Sequence, residues 1–152
     1  ERVQSYISNF LEGDADSAKA GIGKWASLIR VFDPIKRETL DLHEFAQDEG
    51  LHCMTLGRFT NRLVDHCLIV GTSSGLILNP RVSKGGAFYT FVIQFFQDGN
   101  VRLQIMHRTP LDEVPGAVLA FHGRVVAGVG NLLRIYDLGK QKLLKKCENK
   151  RI

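Results

Sequence analysis

The hydrophobic and polar positions follow two different periods along the chain. In residues 1–12 the apolar side chains recur at the spacing of one helix face, which predicts a short N-terminal helix. These side chains are Val3, Ile7, Phe10 and Leu11. Residues 14–24 are small and polar and predict a flexible loop. We therefore predict a helix and loop over 1–24, followed by a different kind of structure over 25–152.

From Trp25 onwards the chain is a series of short β-branched and aromatic runs with turn residues between them. Such runs predict β-strands. The predicted strands cover 25–34, 39–45, 50–59, 65–75, 85–99, 101–110, 116–123, 124–130, 131–139 and 142–148. No helical period occurs in this region. The pattern predicts an all-β sandwich, barrel or propeller.

The predicted strands also fall into repeated groups. Residues 51–110 hold four strands, residues 117–148 hold four more, and residues 25–45 hold the last two of an earlier group. In both complete groups the second strand is predicted to end in Gly, at IVGTSSG and AGVGN, and the third carries aromatic residues. A repeat of four antiparallel strands is typical of a propeller blade. We therefore predict a partial WD40-like β-propeller of about two and a half blades.

A propeller closes with about four to eight blades, so this chain is expected to be part of a longer polypeptide. Its start at Glu1 rather than Met fits that expectation. No run of about 18 apolar residues predicts a membrane span. Three scattered cysteines and the absence of an Asn-x-Ser/Thr sequon favour an intracellular compartment.

The net charge of +4 is concentrated at one end of the chain. Residues 139–152 hold six of the 20 basic residues and one of the 16 acidic ones, which leaves 14 against 15 elsewhere. A neutral body with a basic end is not the broad positive surface of a duplex-binding protein.

The candidate motifs in the sequence do not support a catalytic, cofactor-binding or metal-binding site. GTSSG (71–75) and GVGN (128–131) are both followed by a strand rather than a helix, so they indicate turns instead of phosphate loops. His52-Cys53 and His66-Cys67 each offer at most one ligand, because neighbouring strand residues face opposite ways. No nucleophile elbow occurs, and the carboxylates are explained by turn chemistry. We predict no catalytic, cofactor-binding or metal-binding residues, and no cofactor.

Partner contacts are expected on loops held by rigid strands. The candidate loops are 79–86 and 109–115, although turn geometry explains their Pro and Gly residues equally well. The candidate contact residues are Asn79, Arg81, Lys84, Asp112, Glu113, Lys142, Lys145 and Lys146. Strand alternation predicts Lys142 and Lys146 on one side and Lys145 on the other. The lysines protect a solvated edge strand from pairing, or they contact acidic protein or RNA phosphate.

Several long sequence words carry a family resemblance. They are GIGKWASLIRVFDP (21–34), LILNPR (76–81), GGAFYTF (85–91) and the whole stretch from DGNVRLQIMHRTPLDEVPGAV to LLRIYDLGKQKLLKKCENKRI (98–152). In these words the chain resembles the third propeller of the splicing factor 3b subunit 3 family. That family belongs to a group of triple-propeller scaffolds that also includes damaged-DNA-binding protein 1 and the large cleavage and polyadenylation specificity subunit.

The resemblance implies a non-enzymatic scaffold in the nucleus. It implies membership of the splicing factor 3b complex of the U2 small nuclear ribonucleoprotein, support of branch-site recognition in pre-mRNA splicing, and protein partners that include a HEAT-repeat subunit and small subunits. It implies indirect or weak RNA contact, no membrane and no small-molecule substrate. Two alternatives stay open: an adaptor of the damaged-DNA-binding, ubiquitin-ligase or polyadenylation type, and a propeller that contacts RNA directly.

Overall fold

The computed structural model describes residues 25–60 and 66–149, and every regular element within them is a β-strand. The predicted N-terminal helix and loop lie outside these residues. The strands are β1 (Leu28–Asp33), β2 (Glu38–Glu44), β3 (Glu49–Gly57), β4 (Cys67–Ser74), β5 (Ile77–Leu78), β6 (Arg81–Val82), β7 (Gly86–Phe95), β8 (Val101–Leu111), β9 (Pro115–Phe121), β10 (Arg124–Val129), β11 (Leu132–Leu138) and β12 (Leu143–Glu148). None of the described segments is a helix long and apolar enough to cross a membrane.

The strands form a partial propeller, as the repeated groups predicted. Strands β3, β4, β7 and β8 form one antiparallel sheet, and β9, β10, β11 and β12 form the next. Strands β1 and β2 form a two-stranded sheet beside them. In chain order, we call the sheet of β1 and β2 blade 1, the sheet of β3, β4, β7 and β8 blade 2, and the sheet of β9 to β12 blade 3. The first strands of blades 2 and 3 pack against each other, and β2 of blade 1 packs against β8 of blade 2.

The hydrophobic core lies between the blades. Strand β4 is buried on both faces, because its alternate residues face different neighbours. Cys67 and Ile69 join a cluster with Phe88 and the inward side chains of blade 3, whereas Leu68 and Val70 join a cluster with side chains of blade 1. This double burial explains why CLIV is a continuous apolar run rather than an alternating one.

Two glycines lie inside strands, at the start of runs that the sequence had indicated as turns. Gly71 pairs with Cys53 and Phe88 inside β4, and Gly128 lies inside β10. A Cβ on Gly71 would lie 2.6 Å from Sγ of Cys53, so the close approach of β3 requires a glycine there. The turns begin later, at Gly75 and Gly130, with φ of +56° and +55°. The second strands therefore end beside Gly75 and Gly130, as the predicted bounds 65–75 and 124–130 had it, whereas the interpretation of the whole runs 71–75 and 128–131 as turns was wrong.

A second difference lies between β4 and β7. The chain does not turn directly from one to the other but first forms a small hairpin from β5 and β6, closed by Asn79 and Pro80. The Asn79–Pro80 peptide bond is cis. This hairpin is an additional element outside the four-stranded blade.

A buried carboxylate fixes the start of blade 2. Glu49, the first residue of β3, is only 4% exposed. Its carboxylate accepts hydrogen bonds from the Thr72 hydroxyl at 2.7 Å and from the Tyr89 hydroxyl at 3.1 Å. Arg108 in turn donates to the Tyr89 oxygen at 3.1 Å. The network joins β3, β4, β7 and β8, and its donors offset the cost of burying the Glu49 charge.

Candidate functional site

The structure brings part of the predicted contact set together between blades 2 and 3. Asp112, Lys142 and Lys145 line one open cleft of about 360 Å³. Asp112 follows β8, Lys142 precedes β12, and Lys145 lies within β12. The cleft therefore forms where the last strands of two successive blades face each other.

Arg134 is the centre of this cleft, and sequence reasoning missed it. It lies on β11, where its side chain is 7% exposed and shares a face with the buried residues Tyr136 and Leu138. Its guanidinium donates from Nη2 to Oδ2 of Asp112 at 2.8 Å and from Nε to Oε2 of Glu148 at 3.0 Å. A second bond from Nη1 to Asp112 makes the first pair bidentate, the arrangement for which the planar guanidinium is suited.

One sequence signal for Arg134 was available. In LLRIYDL, Arg134, Tyr136 and Leu138 are spaced two residues apart, so strand alternation places the arginine on the same face as two apolar side chains. A charge that is buried on such a face needs a partner. The identity of that partner was not available, because Asp112 is 22 residues away and belongs to the connection from the preceding blade.

The ion pairs shift the acidity of the groups around the cleft. The hydrogen bond from Arg134 holds the pKa of Asp112 at about 2, below its ordinary 3.8. The hydrogen bond to Asp112 raises the pKa of Arg134. Lys145, at 2.9 Å, is the main cause that lowers the pKa of Glu148. Asp112, Glu148 and Arg134 are therefore charged at neutral pH, and Arg134 and Lys145 share Glu148.

One lysine of the basic end, Lys146, does not follow the predicted alternation. The register between β11 and β12 shifts between Ile135 and Tyr136, whose partners are Cys147 and Lys145. Lys146 is thus the extra residue of a β-bulge, and regular alternation does not continue past it. This bulge is also why Lys145 and Glu148, three residues apart, meet on one face. The alternation prediction was therefore wrong for Lys146, whereas Leu143, Leu144 and Lys145 pair with β11 in regular register.

Glu113 lies on the other side of Asp112. The two carboxylates and Arg134 line a second hollow of about 280 Å³, with Asn131 at the turn between β10 and β11. The space beside Gly130 is filled by the Glu113 side chain, because an added Cβ would lie 2.9 Å from the Glu113 Cβ. Predicted contact residues at the end of blade 2 are therefore joined to the central turn of blade 3.

The other predicted residues lie on a separate element. Asn79, Arg81 and Lys84 belong to the β5–β6 hairpin and its return to β7, and all three are exposed. The base of the hairpin touches the 112–114 connection, since a Cβ on Gly86 would lie 3.0 Å from the Glu113 carbonyl oxygen. The predicted contact residues thus fall into two groups, the charged cleft and the hairpin, and the supports of the two groups meet beside Gly86.

This arrangement is suited to recognition through charge and shape. Over 25–60 and 66–149 no group of three or more His, Cys, Asp or Glu side chains could hold a metal ion. Asp112 and Glu148 remain 64% and 36% exposed, so a partner can reach the outer side of the ion pairs. Charged groups that are already held in place by one another favour a partner of complementary charge at little ordering cost.

Comparison with known proteins gives consistent results. The model of the CPSF A subunit region matches residues 26–152. The chain is 46% identical over 144 residues to "Splicing factor 3B subunit 3" of Danio rerio and 41% identical over 154 residues to the protein of the same name in Drosophila melanogaster. These alignments cover 95% and 100% of the chain.

A plant relative is similar as well. The chain is 39% identical over 132 residues, 87% of its length, to "Spliceosome-associated protein 130 A" of Arabidopsis thaliana. The chain spans 11–12% of the length of these curated relatives. Because the family match runs through all three blades and the charged cleft, the chain belongs to the CPSF A subunit region family.

Proposed function

We propose that this chain is part of a non-enzymatic protein–protein scaffold subunit of a splicing factor 3b complex. In this proposal the complex belongs to the U2 small nuclear ribonucleoprotein, acts in the nucleus and supports branch-site recognition in pre-mRNA splicing. The observation that carries the proposal is 46% identity over 95% of the chain to a protein named for splicing factor 3B. The family match alone also fits propeller proteins of other complexes, and the level of identity to splicing factor 3B subunit 3 supports the choice made here.

The physics of the blades supports a scaffold role. Two buried clusters hold the three sheets against one another, and the Arg134–Asp112 pair ties the connection after blade 2 to blade 3. Loops held in this way lose little conformational entropy when a partner binds. Such a surface is suited to positioning large proteins, a role that requires no catalytic residues.

The proposed partners are proteins: a HEAT-repeat subunit and small subunits of splicing factor 3b. RNA contact is indirect or weak in this proposal, and no membrane or small-molecule substrate is involved. The charge distribution supports this choice, because Lys145 of the basic end pairs with Glu148 within the chain. The predicted contact residues Asn79, Arg81, Lys84, Asp112, Glu113, Lys142, Lys145 and Lys146 are the proposed protein contacts.

The test is affinity purification of the full-length protein from nuclear extract. We expect the HEAT-repeat subunit and U2 small nuclear RNA to be recovered together, and introns to be retained when the protein is depleted. Recovery of a cullin ubiquitin ligase or of the polyadenylation machinery in their place would support the adaptor alternative and overturn the proposal.

Direct RNA binding is tested separately through the lysines. If the basic end bound phosphate, replacing Lys142, Lys145 and Lys146 by Gln would flatten the salt dependence of RNA affinity by about three units of slope at most. Our proposal expects no change in the RNA affinity of the purified protein. The matched control is Lys36→Gln, which removes a lysine in the turn between β1 and β2, away from the cleft.

A further inference from the structure

The β5–β6 hairpin exposes apolar side chains on both of its faces. Ile77 lies directly opposite Val82 on one face, and Leu78 lies opposite Arg81 on the other. The three aliphatic side chains are 57%, 54% and 79% exposed, in the order Ile77, Val82 and Leu78. Single exposed apolar residues are common, but three on a hairpin of six residues form a patch that favours a partner.

The hairpin differs from the exposed apolar side chains on the first strands of blades 2 and 3. Leu119 and Phe121 lie on β9 of the last described blade, and Met54 and Leu56 lie on β3, so further blades of a propeller account for them. The hairpin belongs to no blade, and its two faces point away from each other. A flat neighbouring sheet would cover only one of these faces. A groove that surrounds the hairpin covers both.

The base of the hairpin is held rigidly although its tip is exposed. The backbone nitrogen of Gly75 donates to the Asp48 carbonyl at 2.9 Å, and that of Lys84 donates to the Ser74 carbonyl at 2.9 Å. Ser74 in turn donates to the Gly85 carbonyl at 3.0 Å. The aliphatic stem of Lys84 also packs over Gly75, where a Cβ would lie 3.3 Å away. A hairpin ordered in this way inserts into a partner at a small entropic cost.

The charge of the hairpin indicates which kind of groove it fits. Residues 75–86 contain Arg81 and Lys84 and no acidic residue. Within the part of the chain that the structure describes, neither cation makes an ion pair. The carboxylate of Asp112 is directed to Arg134, and that of Glu113 lies beside Gly130. The two cations are therefore available to acidic groups of another molecule.

We propose that the β5–β6 hairpin inserts into an apolar groove of a partner protein whose rim carries Asp or Glu side chains. Leu78, Ile77 and Val82 fill the groove, and Arg81 and Lys84 pair with the rim. This inference rests on the proposed scaffold function, since it names the chemistry of one of the scaffold's contacts. It assigns the apolar residues of the hairpin, rather than its polar turn alone, as the main contact.

The experiment places a photoreactive amino acid at position 78 of the full-length protein in cells, with position 97 as the control. Gln97 is an exposed polar residue in the turn between β7 and β8. We expect the probe at position 78, but not at 97, to crosslink to another polypeptide. The crosslinked segment should line an apolar groove with acidic residues within a few positions. Crosslinks to the same polypeptide, to RNA, or at no higher yield than position 97 would overturn the proposal.

Two charge variants test the rim. Arg81→Glu should reduce the yield of the position 78 crosslink by about tenfold or more, since each 1.4 kcal/mol of binding is tenfold. Lys140→Glu makes the same change of charge at an exposed turn residue of blade 3 and should leave the yield unchanged. Equal yields for the two variants would contradict the acidic rim. If spliceosomal proteins co-purify but position 78 forms no crosslink, the hairpin inference fails and the scaffold proposal stands. If they do not co-purify, the scaffold proposal fails by its own test.

Discussion

Arg134 of blade 3 donates a hydrogen bond from Nη2 to Oδ2 of Asp112, at 2.8 Å, across the boundary with blade 2. The arginine is buried and the aspartate is largely exposed, so the pair joins a fixed donor to an acceptor that water still reaches. A pair of this kind contributes less than a fully buried one, because the exposed partner keeps part of its hydration. Its geometry nevertheless sets the position of the 112–114 connection relative to β11.

Replacing Arg134 tests how much the pair stabilises the blade boundary. Arg134→Met keeps an unbranched side chain but removes the donors to Asp112 and Glu148. We expect a loss of about 1–2 kcal/mol in the free energy of unfolding, measured by urea titration. Arg124→Met, at an exposed position of β10, is the matched control and should change stability by less than about 0.5 kcal/mol. Equal losses in the two variants would show that the ion pairs do not stabilise the fold.

The acidity of Asp112 gives a pH dependence of defined sign. Its pKa is about 2 when folded, below the ordinary 3.8, because Arg134 donates hydrogen bonds to the ionised form. The folded state thus binds fewer protons than the unfolded state between these values. The contribution is fully present above about pH 4 and is lost as the pH falls through about 2. The stability difference between the protein and its Asp112→Asn variant should shrink over that window.

Carboxyl carbon chemical shifts measure the same quantity directly. We expect the Asp112 carboxyl to titrate with a midpoint of about 2 in the folded protein. In the Arg134→Met variant the midpoint should rise towards the ordinary value. A midpoint near 3.8 in the unaltered protein would contradict the ion pair.

Two buried threonines provide a matched test of hydrogen bonding. Thr72 and Thr90 are both fully buried, but the Thr72 hydroxyl donates to Glu49, whereas Thr90 Oγ1 has no partner among the described residues. Thr72→Val should cost about 1–3 kcal/mol, because it leaves the buried carboxylate with one donor fewer. Thr90→Val should be neutral or stabilising, because it removes a hydroxyl that is buried without a bond. Thermal or urea unfolding of both variants checks the prediction. The opposite order of stability would refute it.

The two strand glycines form a second matched pair. A Cβ at Gly71 would meet the Cys53 sulfur at 2.6 Å and Pro115 at 3.0 Å, whereas a Cβ at Gly128 would have no heavy atom within 4 Å. Gly71→Ala should therefore destabilise the protein by about 1–3 kcal/mol through overpacking. Gly128→Ala should change the free energy of unfolding by no more than about 0.5 kcal/mol. Equal tolerance of the two substitutions in urea unfolding would mean that β3 and β9 move apart readily around Gly71.

Much of the fold was predictable because it depends on local patterns. The ten predicted strands correspond to the ten strands of the three blades, since alternation and turn residues are local signals. The β5–β6 hairpin was not predicted, because two-residue strands carry no periodicity. Gly71 was interpreted as part of a turn for a related reason: a glycine in sequence does not tell a turn from a close contact with another strand.

The candidate site was predictable only in its outline. Asp112, Lys142 and Lys145 were expected to be contact residues, and they do line one cleft. Arg134 was absent from the expectation, because the register of β11 and the position of the preceding blade decide its partner. The bulge at Lys146 likewise depends on pairing with β11, which is not readable from β12 alone.

By itself the sequence determined the strands, their grouping into blades and the family, because each of these depends on residues close together in the chain. Only the tertiary structure decided that Arg134 pairs with Asp112, that Glu113 packs on Gly130, and that β5 and β6 stand apart from the blades with apolar faces exposed. The physical reason is that the blades bury their side chains against one another. The partner of each inward residue is therefore set by packing between sheets and not by its neighbours in sequence.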